Sequence, residues 1–329
     1  MEKIAVIGGG SWATALVKIL SQNKAQVNWW LRNEKDVEHL LLYQHNPRYI
    51  SGVSFDLYYV KPTNDLSACI EEAAWVILAV PAAFIQATLA ALPPNAFAGK
   101  ILVSAVKGMI PHQNILITDF LEQAYGVPAS HQCIISGPCH AEEVALEKQS
   151  YLTIGAHDLN HAEQFCQLLR NRYVKASPLD DIDGIEYCAV MKNIIALACG
   201  IAHGLGYGDN FQAVMVSNAM QEIDRFLHAL MPVTRNLSGS AYLGDLLVTA
   251  YSQFSRNRTF GNMIGRGYTV TSAQMEMNMI AEGYYAVQSV YALNQKLQVD
   301  MPITTAVHRI LYEKVAPAIE IDALKDKFK

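Results

Sequence analysis

Short apolar runs alternate with helix-like stretches through the first half of the chain. In those stretches apolar residues recur at helical spacing. We predict strands at residues 4–7, 26–31, 75–80, 101–105, 133–136 and 151–155, and helices at residues 11–21, 34–43, 84–92, 114–125 and 161–170. Apolar strands that alternate with helices are typical of a parallel sheet covered on both faces. The first half is therefore predicted to be α/β, with a doubly wound parallel sheet.

Helical periodicity dominates the chain from about residue 180 onward. We predict helices at residues 184–205, 210–230, 241–254, 274–297 and 303–312. A break in composition at residues 177–181, Ser-Pro-Leu-Asp-Asp, separates the two patterns. The sequence thus predicts an α/β domain at residues 1–179 and an all-helical domain at residues 180–329. We expect residues 325–329 to be a frayed tail.

A turn of three glycines joins the first predicted strand to the first predicted helix. Gly8 can make the tight turn, Gly10 lets backbone N–H groups approach a pyrophosphate, and Ala13 lets the helix pack closely on the strand. The helix N-terminus favours an anion at the same place. Glycines in such a turn often serve geometry alone. Here, however, the strand before, the helix after and the second strand that follows complete the pattern of a Rossmann dinucleotide-binding domain.

Arg32 and Asn33 follow the second predicted strand, where NAD-binding domains carry an acidic residue. A carboxylate there bonds the ribose 2′-hydroxyl of NAD, whereas an arginine can pair with the 2′-phosphate of NADP. Arg32 therefore favours NADP over NAD. A solvated loop arginine would tolerate both cofactors, so that alternative stays open.

Composition narrows the class of protein. Of the 329 residues, 51% are hydrophobic and 17% charged, which is typical of a packed globular protein. The net charge of −5 and the lack of a Lys/Arg run argue against nucleic acid as a partner. The most apolar uncharged runs, residues 73–85 and 194–208, are shorter than a membrane span, and no signal-peptide pattern precedes the first strand. We expect a cytoplasmic protein that does not span a membrane.

Neither a disulfide framework nor a metal site is expected. The six cysteines form no Cys-x-x-Cys pair, and His157 and His161 have no third residue that completes a metal-ligand pattern. Asp158 is better explained as the cap of the following helix. The signature motifs of short-chain reductases, serine hydrolases, phosphate-loop kinases and zinc proteases are all missing.

Lys192 is the only formally charged residue between positions 187 and 208. Such a lysine either extends to the surface, or lies in a pocket where burial lowers its pKa toward that of a general base. Lys107 follows the strand at residues 101–105, where it either stabilises a phosphate or carbonyl oxygen or simply meets solvent. Asp245 is a lone acid in an apolar run and needs a partner if it is buried.

The tetrapeptide Ser255-Arg256-Asn257-Arg258 concentrates two guanidinium groups and two short polar side chains. This composition suits bidentate recognition of a phosphate. Many surface helix ends have a similar composition, so the tetrapeptide alone does not decide between the two interpretations.

Seven segments, in order along nearly the whole chain, resemble the bacterial-type NAD(P)-dependent glycerol-3-phosphate dehydrogenases. They are residues 8–15, 104–108, 136–143, 190–193, 204–210, 244–246 and 255–258. The resemblance implies reversible reduction of dihydroxyacetone phosphate to sn-glycerol 3-phosphate by hydride transfer from NAD(P)H, for phospholipid synthesis. It also implies that Lys192 is the proton donor and acceptor, and that Lys107 and Asp245 assist it.

The same resemblance implies two sets of contact residues. Those for the cofactor are Gly8, Gly10, Ser11, Trp12, Arg32, Lys107, Ala141, Arg256 and Glu282. Those for the substrate are Lys107, Gly137, Cys139, Lys192, Asp245, Ser255, Arg256 and Asn257. Three residues depart from the family pattern: Ala13 replaces Gly, Cys139 replaces Ser or Thr, and His140 replaces Phe. A thiol is a weaker donor than a hydroxyl, so substrate affinity is expected to differ while the reaction class stays the same.

Two alternatives share parts of this pattern. A dehydrogenase of 3-hydroxy acids or ketopantoate would share the sheet, the lysine and the helical domain, but has no need of a phosphate-binding tetrapeptide at residues 255–258. A non-enzymatic NADP-binding redox sensor would need no proton donor such as Lys192. A helical second domain often supports dimers, so a homodimer is among the expectations.

Overall fold

A computed structural model describes residues 3–277 and 281–328. The chain forms two compact units. The first contains the chain up to Val106 together with Ile117–Ile182, and the second contains Lys107–Leu116 and the chain from Asp183 onward. The chain thus passes between units after Val106, Leu116 and Ile182, so the helical unit takes the segment Lys107–Leu116 from within the first half of the sequence.

An eight-stranded sheet forms the centre of the first unit. Its strands are β1 (Lys3–Ile7), β2 (Gln26–Trp30), β3 (Val60–Thr63), β4 (Ala73–Leu78), β5 (Ile101–Ser104), β6 (Gln132–Ser136), β7 (Ser150–Ala156) and β8 (Val174–Leu179). They are ordered β3-β2-β1-β4-β5-β6-β7-β8. The strands from β1 to β6 pair in parallel, which confirms the doubly wound architecture.

The predicted parallel sheet has an exception at β7, which pairs antiparallel with β6 and parallel with β8. The connection from β6 to β7 contains only the five-residue helix Ala141–Ala145. The whole connection is residues 137–149, close to the dozen residues that is the least a parallel crossover needs. Strand β7 instead begins beside the carboxyl end of β6, where Ser136 pairs with Thr153.

Helices flank this sheet, at α1 (Ser11–Gln22), α2 (Glu34–Tyr43), α3 (Leu66–Glu71), α4 (Ile85–Leu89), α5 (Ile117–Tyr125), α6 (Ala141–Ala145) and α7 (Leu159–Leu169). Short 3₁₀ turns occupy Ala82–Phe84 and Ala129–His131. Asp158 caps α7 as predicted, because its carboxylate accepts a hydrogen bond of 2.8 Å from the backbone N–H of Asn160. The helix predicted at residues 114–125 begins later, at Ile117, since His112 and Asn114 both have positive φ angles.

The second unit is helical, as predicted. Its helices are α8 (Ile182–Gly204), α9 (Asp209–Leu230), α10 (Asp245–Tyr251), α11 (Arg256–Gly265), α12 (Val270–Glu276), α13 (Glu282–Leu297), α14 (Pro302–Tyr312) and α15 (Pro317–Lys325). A π-helical turn, Ser240–Gly244, precedes α10. The helix predicted at residues 274–297 overlaps both α12 and α13, and its residues 278–280 lie outside the described residues. The frayed tail predicted at residues 325–329 is not found up to Phe328. The ring of Phe328 packs on that of Phe211, with centroids 5.7 Å apart.

Helix α8 is long and apolar enough to pass as a membrane span by length and composition alone. However, 94% of its most apolar window is buried inside the protein. Its composition is therefore that of a core helix.

Helices α8 and α11 touch backbone to backbone at four glycines. A Cβ atom on Gly261 of α11 would lie 2.2 Å from the Leu197 carbonyl oxygen, and one on Gly200 of α8 would lie 2.2 Å from the Arg258 carbonyl oxygen. Gly204 and Gly265 complete the contact in the same way. This close contact fixes the position of the start of α11 relative to α8.

A buried carboxylate of α9 caps helix α14. Glu222 is fully buried and accepts hydrogen bonds from the backbone N–H groups of Ile303 (2.8 Å) and Thr304 (2.9 Å) and from the Thr304 hydroxyl (2.6 Å). Burial raises the pKa of Glu222 to about 7, while these hydrogen bonds act to lower it. Because Met301, the residue before α14, provides no cap of its own, Glu222 satisfies donors that would otherwise be orphaned.

Candidate active site

The predicted glycine turn lies between the end of β1 and the start of α1. Gly8 has a φ of 135°, and a Cβ atom there would lie 2.5 Å from the Ala79 carbonyl oxygen. Gly10 is the N-cap of α1, and within the described part of the chain nothing lies within 4 Å of the position of its missing Cβ. The indole Nε1 of Trp12 is buried and has no hydrogen-bond partner among those residues. An open helix N-terminus beside an unpaired donor fits a dinucleotide phosphate.

Arg32 lies two residues beyond the end of β2 and is exposed. Its guanidinium makes no hydrogen bond or ion pair within residues 3–277 and 281–328. The next residue, Asn33, caps α2 by accepting a hydrogen bond of 3.1 Å from the Lys35 backbone N–H. A guanidinium thus stands at the place predicted for recognition of the ribose, and its preference for a 2′-phosphate stays a prediction.

The segment from Gly137 to Ala141 follows β6 and leads into α6. Gly137 has a φ of 119°, and a Cβ atom there would lie 2.5 Å from the Tyr151 carbonyl oxygen, so only glycine fits. Cys139 is half-buried and packs against the hydrophobic core of the first unit, and Ala141 is buried at the start of α6. Because α6 packs against α1, this segment and the glycine turn belong to one local structure.

In the second unit, two lysines share one buried carboxylate. Lys192 of α8 is 4% exposed and its Nζ donates a hydrogen bond to Oδ1 of Asp245, at the start of α10. The Nζ of Lys107 lies 3.7 Å from Oδ2 of the same carboxylate, which is 2% exposed. Lys192 therefore does not extend to the surface. Asp245 has the partner that its burial requires.

This arrangement shifts the pKa of Lys192 to about 8. Burial of the ammonium is the main cause of the decrease; the Asp245 carboxylate opposes it, and the positive charge of Lys107 adds to it. A lysine with such a pKa exchanges its proton near neutral pH, as a general acid or base must.

A chain of amide hydrogen bonds ties the lysine cluster to α11 and α13. The Asn193 side chain donates to the Lys107 carbonyl oxygen (2.8 Å), and Nδ2 of Asn257 donates to Oδ1 of Asn193 (2.9 Å). Oδ1 of Asn257 accepts from the Gly283 backbone N–H (2.9 Å). Asn193 was not predicted as a site residue. The one feature of the sequence that pointed to it is its position directly after Lys192.

The residues around Asn257 have different environments. Ser255 is buried and caps α11, since its hydroxyl oxygen accepts from the Arg258 backbone N–H at 3.3 Å. The Arg256 side chain is exposed at the start of α11, where the positive end of the helix also favours an anion. Glu282 is half-buried at the start of α13, next to Gly283. The second unit thus places a buried lysine with a lowered pKa and a helix N-terminus with an exposed arginine on segments joined by Asn257.

Sequence models of one enzyme family match both units. The model of the NAD-dependent glycerol-3-phosphate dehydrogenase N-terminus matches residues 3–162, and that of the C-terminus matches residues 181–322. The chain belongs to the NAD-dependent glycerol-3-phosphate dehydrogenase family.

Relatives from this dehydrogenase family match along more than nine-tenths of their length. A glycerol-3-phosphate dehydrogenase [NAD(P)+] of Clostridium botulinum is 33% identical over 98% of this chain and 97% of its own. The enzyme of that name from Bacillus velezensis is 35% identical over 97% of this chain and 93% of its own. The solved glycerol-3-phosphate dehydrogenase of Coxiella burnetii has a TM-score of 0.92 and 29% identity, and covers 98% of each chain.

A ketopantoate reductase from Ralstonia eutropha is more distant, with a TM-score of 0.58 and 14% identity over 98% of this chain. At that identity the likeness shows the fold alone. It explains why sequence patterning by itself left a ketopantoate-type dehydrogenase open as an alternative to a glycerol-3-phosphate dehydrogenase.

Proposed function

We propose that the protein reduces dihydroxyacetone phosphate to sn-glycerol 3-phosphate, reversibly, with NADPH or NADH, and so supplies glycerol 3-phosphate for phospholipid synthesis. The observation that carries this proposal is the buried Lys192–Asp245 pair beside Lys107, in a chain of the glycerol-3-phosphate dehydrogenase family. The first unit acts as the dinucleotide-binding domain and the second unit, which includes Lys107–Leu116, acts as the substrate domain.

The first unit holds the cofactor through its glycine turn and the residues that follow. Gly8 and Gly10 admit the pyrophosphate, Ser11 and Trp12 begin the helix that faces it, and Arg32 binds the ribose. When bound, the nicotinamide supplies or accepts the hydride. Further cofactor contacts implied by the family resemblance are part of the proposal, at Lys107, Ala141, Arg256 and Glu282.

Lys192 moves the proton. In the reducing direction its ammonium donates a proton to the alkoxide oxygen forming at C2, and in the oxidising direction its neutral amine accepts the hydroxyl proton. Asp245 holds Nζ in place, while the ammonium of Lys107 stabilises the developing negative charge on the oxygen.

Arg256 grips the substrate phosphate. Its exposed guanidinium can bind two phosphate oxygens at once, and the start of α11 adds a favourable dipole. Nδ2 of Asn257 donates to Asn193 and its Oδ1 accepts from Gly283, so Asn257 supports phosphate binding mainly by holding α11 against α8. Gly137, Cys139 and Ser255 complete the proposed substrate contacts.

Reduction and oxidation are expected to depend on pH in opposite directions. Lys192, with its pKa near 8, must be protonated to reduce the ketone and neutral to oxidise the alcohol. The kcat/KM for dihydroxyacetone phosphate should therefore fall as pH rises through about 8, whereas that for glycerol 3-phosphate should rise and level off. Initial rates in both directions between pH 6 and 10, with cofactor Kd measured alongside, test this; profiles that move together would contradict it.

Arg32→Glu is expected to weaken binding of NADPH about 10- to 100-fold more than binding of NADH, because it replaces a charge-assisted hydrogen bond with repulsion. Fluorescence titration gives both dissociation constants. Lys175→Glu, at an exposed position on β8, makes the same change in net charge and should leave the NADPH-to-NADH ratio unaltered. An equal loss of affinity for both cofactors in Arg32→Glu would remove this residue from recognition of the 2′-phosphate.

The reaction itself is tested by oxidation of NADPH and NADH with dihydroxyacetone phosphate as the acceptor, and with ketopantoate in parallel. Turnover of the phosphate ester alone supports the proposal. Turnover of ketopantoate alone would favour the related dehydrogenase, and tight cofactor binding without turnover would favour a sensor. We also propose that the protein is a homodimer and that it is cytoplasmic. Light scattering of the purified protein measures the oligomeric state.

A further inference from the structure

Buried side chains hold the three carbonyl groups of the glycine turn from the side of the core. The Gly8 carbonyl oxygen accepts from Nε1 of Trp29 (2.7 Å) and that of Gly9 from Nδ2 of Asn46 (3.0 Å). That of Gly10 accepts from the hydroxyl of Thr14 (2.9 Å) as well as from the Thr14 backbone N–H (3.0 Å). Trp29 and Thr14 are fully buried and Asn46 is 1% exposed. The dinucleotide fingerprint in the sequence includes none of these three side chains.

Asn46 occupies the centre of this arrangement. Its Nδ2 also donates to the Thr14 hydroxyl oxygen (2.8 Å), and its Oδ1 accepts from the backbone N–H groups of Arg48 (2.9 Å) and Tyr49 (3.2 Å). The amide thus uses both of its N–H bonds and both acceptor positions of its oxygen. A fully bonded, buried amide has one orientation, so it fixes the groups that it contacts.

Because the peptide group is planar, an anchored carbonyl also fixes the direction of the N–H group of the next residue. In a planar trans peptide, the C=O of one residue and the N–H of the next point in opposite directions. Carbonyls of Gly9 and Gly10 held toward Asn46 and Thr14 therefore direct the N–H groups of Gly10 and Ser11 away from the core. These are the N–H groups at the open N-terminus of α1, where a pyrophosphate is stabilised.

We propose that Asn46, acting through Thr14 and Gly9, is a positioning residue that sets the affinity of this protein for its dinucleotide. It does so without touching the cofactor, by holding two backbone donors in their binding orientation before the cofactor arrives. The proposal rests on the proposed use of NADPH or NADH. It does not depend on which substrate is reduced.

The test is Asn46→Ala, with the Kd for NADPH measured by fluorescence titration in the absence of substrate. Misdirecting two hydrogen bonds to a charged group is expected to weaken binding about 10- to 100-fold. The KM for NADPH should rise by a similar factor, while kcat and the KM for dihydroxyacetone phosphate should change by less than about threefold. A loss of kcat without a change in Kd would overturn the proposal.

Asn23→Ala is the matched control, because Asn23 is at the opposite end of α1. Its amide also donates to backbone carbonyls, those of Leu168 (2.8 Å) and Arg170 (3.2 Å). This variant should lower the Tm but leave the Kd for NADPH unchanged. A purely structural role for Asn46 predicts that both variants behave in this way.

Thr14→Val keeps the test decisive if Asn46→Ala does not fold. Valine preserves the shape of threonine but removes the hydroxyl that joins Asn46 to Gly10, so NADPH binding should weaken, and Thr14→Ser should restore it. Normal NADPH affinity in folded Thr14→Val or Asn46→Ala would overturn the proposal. A wild-type protein that binds neither NADPH nor NADH would instead contradict the proposed function, and the inference with it.

Discussion

Lys192→Met is expected to lower kcat for reduction of dihydroxyacetone phosphate by about 10²- to 10⁴-fold, the usual effect of removing a general acid. Methionine keeps most of the apolar stem of lysine in a pocket where the side chain is 4% exposed, but it has no proton to donate. Asp245 retains Lys107 as a partner 3.7 Å away, so the substitution does not leave an isolated buried carboxylate. Initial rates at saturating NADPH measure the loss.

Two controls separate proton transfer from a loss of structure. The Kd for NADPH should be unchanged in Lys192→Met, and Lys100→Met, which removes a half-buried ammonium that donates to the Glu71 and Ala73 carbonyl oxygens at 2.9 Å each, should turn over normally. In Lys192→Ala, added small primary amines should restore part of the rate, since they can fill the space and carry the proton. Near-normal turnover of Lys192→Met would remove this residue from the mechanism.

Gly261→Val is expected to cost about 4 kcal/mol or more of the free energy of unfolding. A Cβ atom on Gly261 would lie 2.2 Å from the Leu197 carbonyl oxygen, and 3.0 Å from the backbone nitrogen of Ile201. Because the opposing atoms belong to a backbone buried in α8, they cannot rotate away as a side chain would. Helix α11 must then separate from α8, which also breaks the hydrogen bond between Asn257 and Asn193. Urea unfolding and the kcat of the residual folded fraction measure the two consequences.

Gly52→Val is the corresponding control, because nothing among the described residues lies within 4 Å of a Cβ atom at that exposed position. It should change the free energy of unfolding by less than about 0.5 kcal/mol. Equal stability of Gly261→Val and the wild type would show that the crossing of α8 and α11 can widen without cost, contrary to the close packing of their backbones.

The sequence determined those elements whose patterns of residue types extend over only a few neighbouring residues. The strand–glycine–helix unit at Gly8 and Gly10 was predicted because a phosphate-binding turn needs these residue types at this spacing. The helical second half was predicted because the helical period is visible in the spacing of apolar residues along the sequence. Strands β3 and β8 were missed because they are the two edges of the sheet, and each carries a proline, Pro62 and Pro178, that argues against a strand in isolation.

Tertiary structure decided the environment of each candidate residue. The sequence of α8 left Lys192 open to two interpretations, since burial is a property of the neighbours: Asp245 lies 53 residues away in the chain, and Lys107 lies on a separate segment of the second unit. In the same way Asn46, a residue of an irregular segment, contacts Gly9 at a separation of 37 residues. The sequence by itself thus determined the fold class, the dinucleotide turn and the candidate lysines, because these follow from local spacing. Which side chains pair, and hence the pKa of Lys192 and the orientation of the phosphate-binding N–H groups, depends on distances in space that no local pattern encodes.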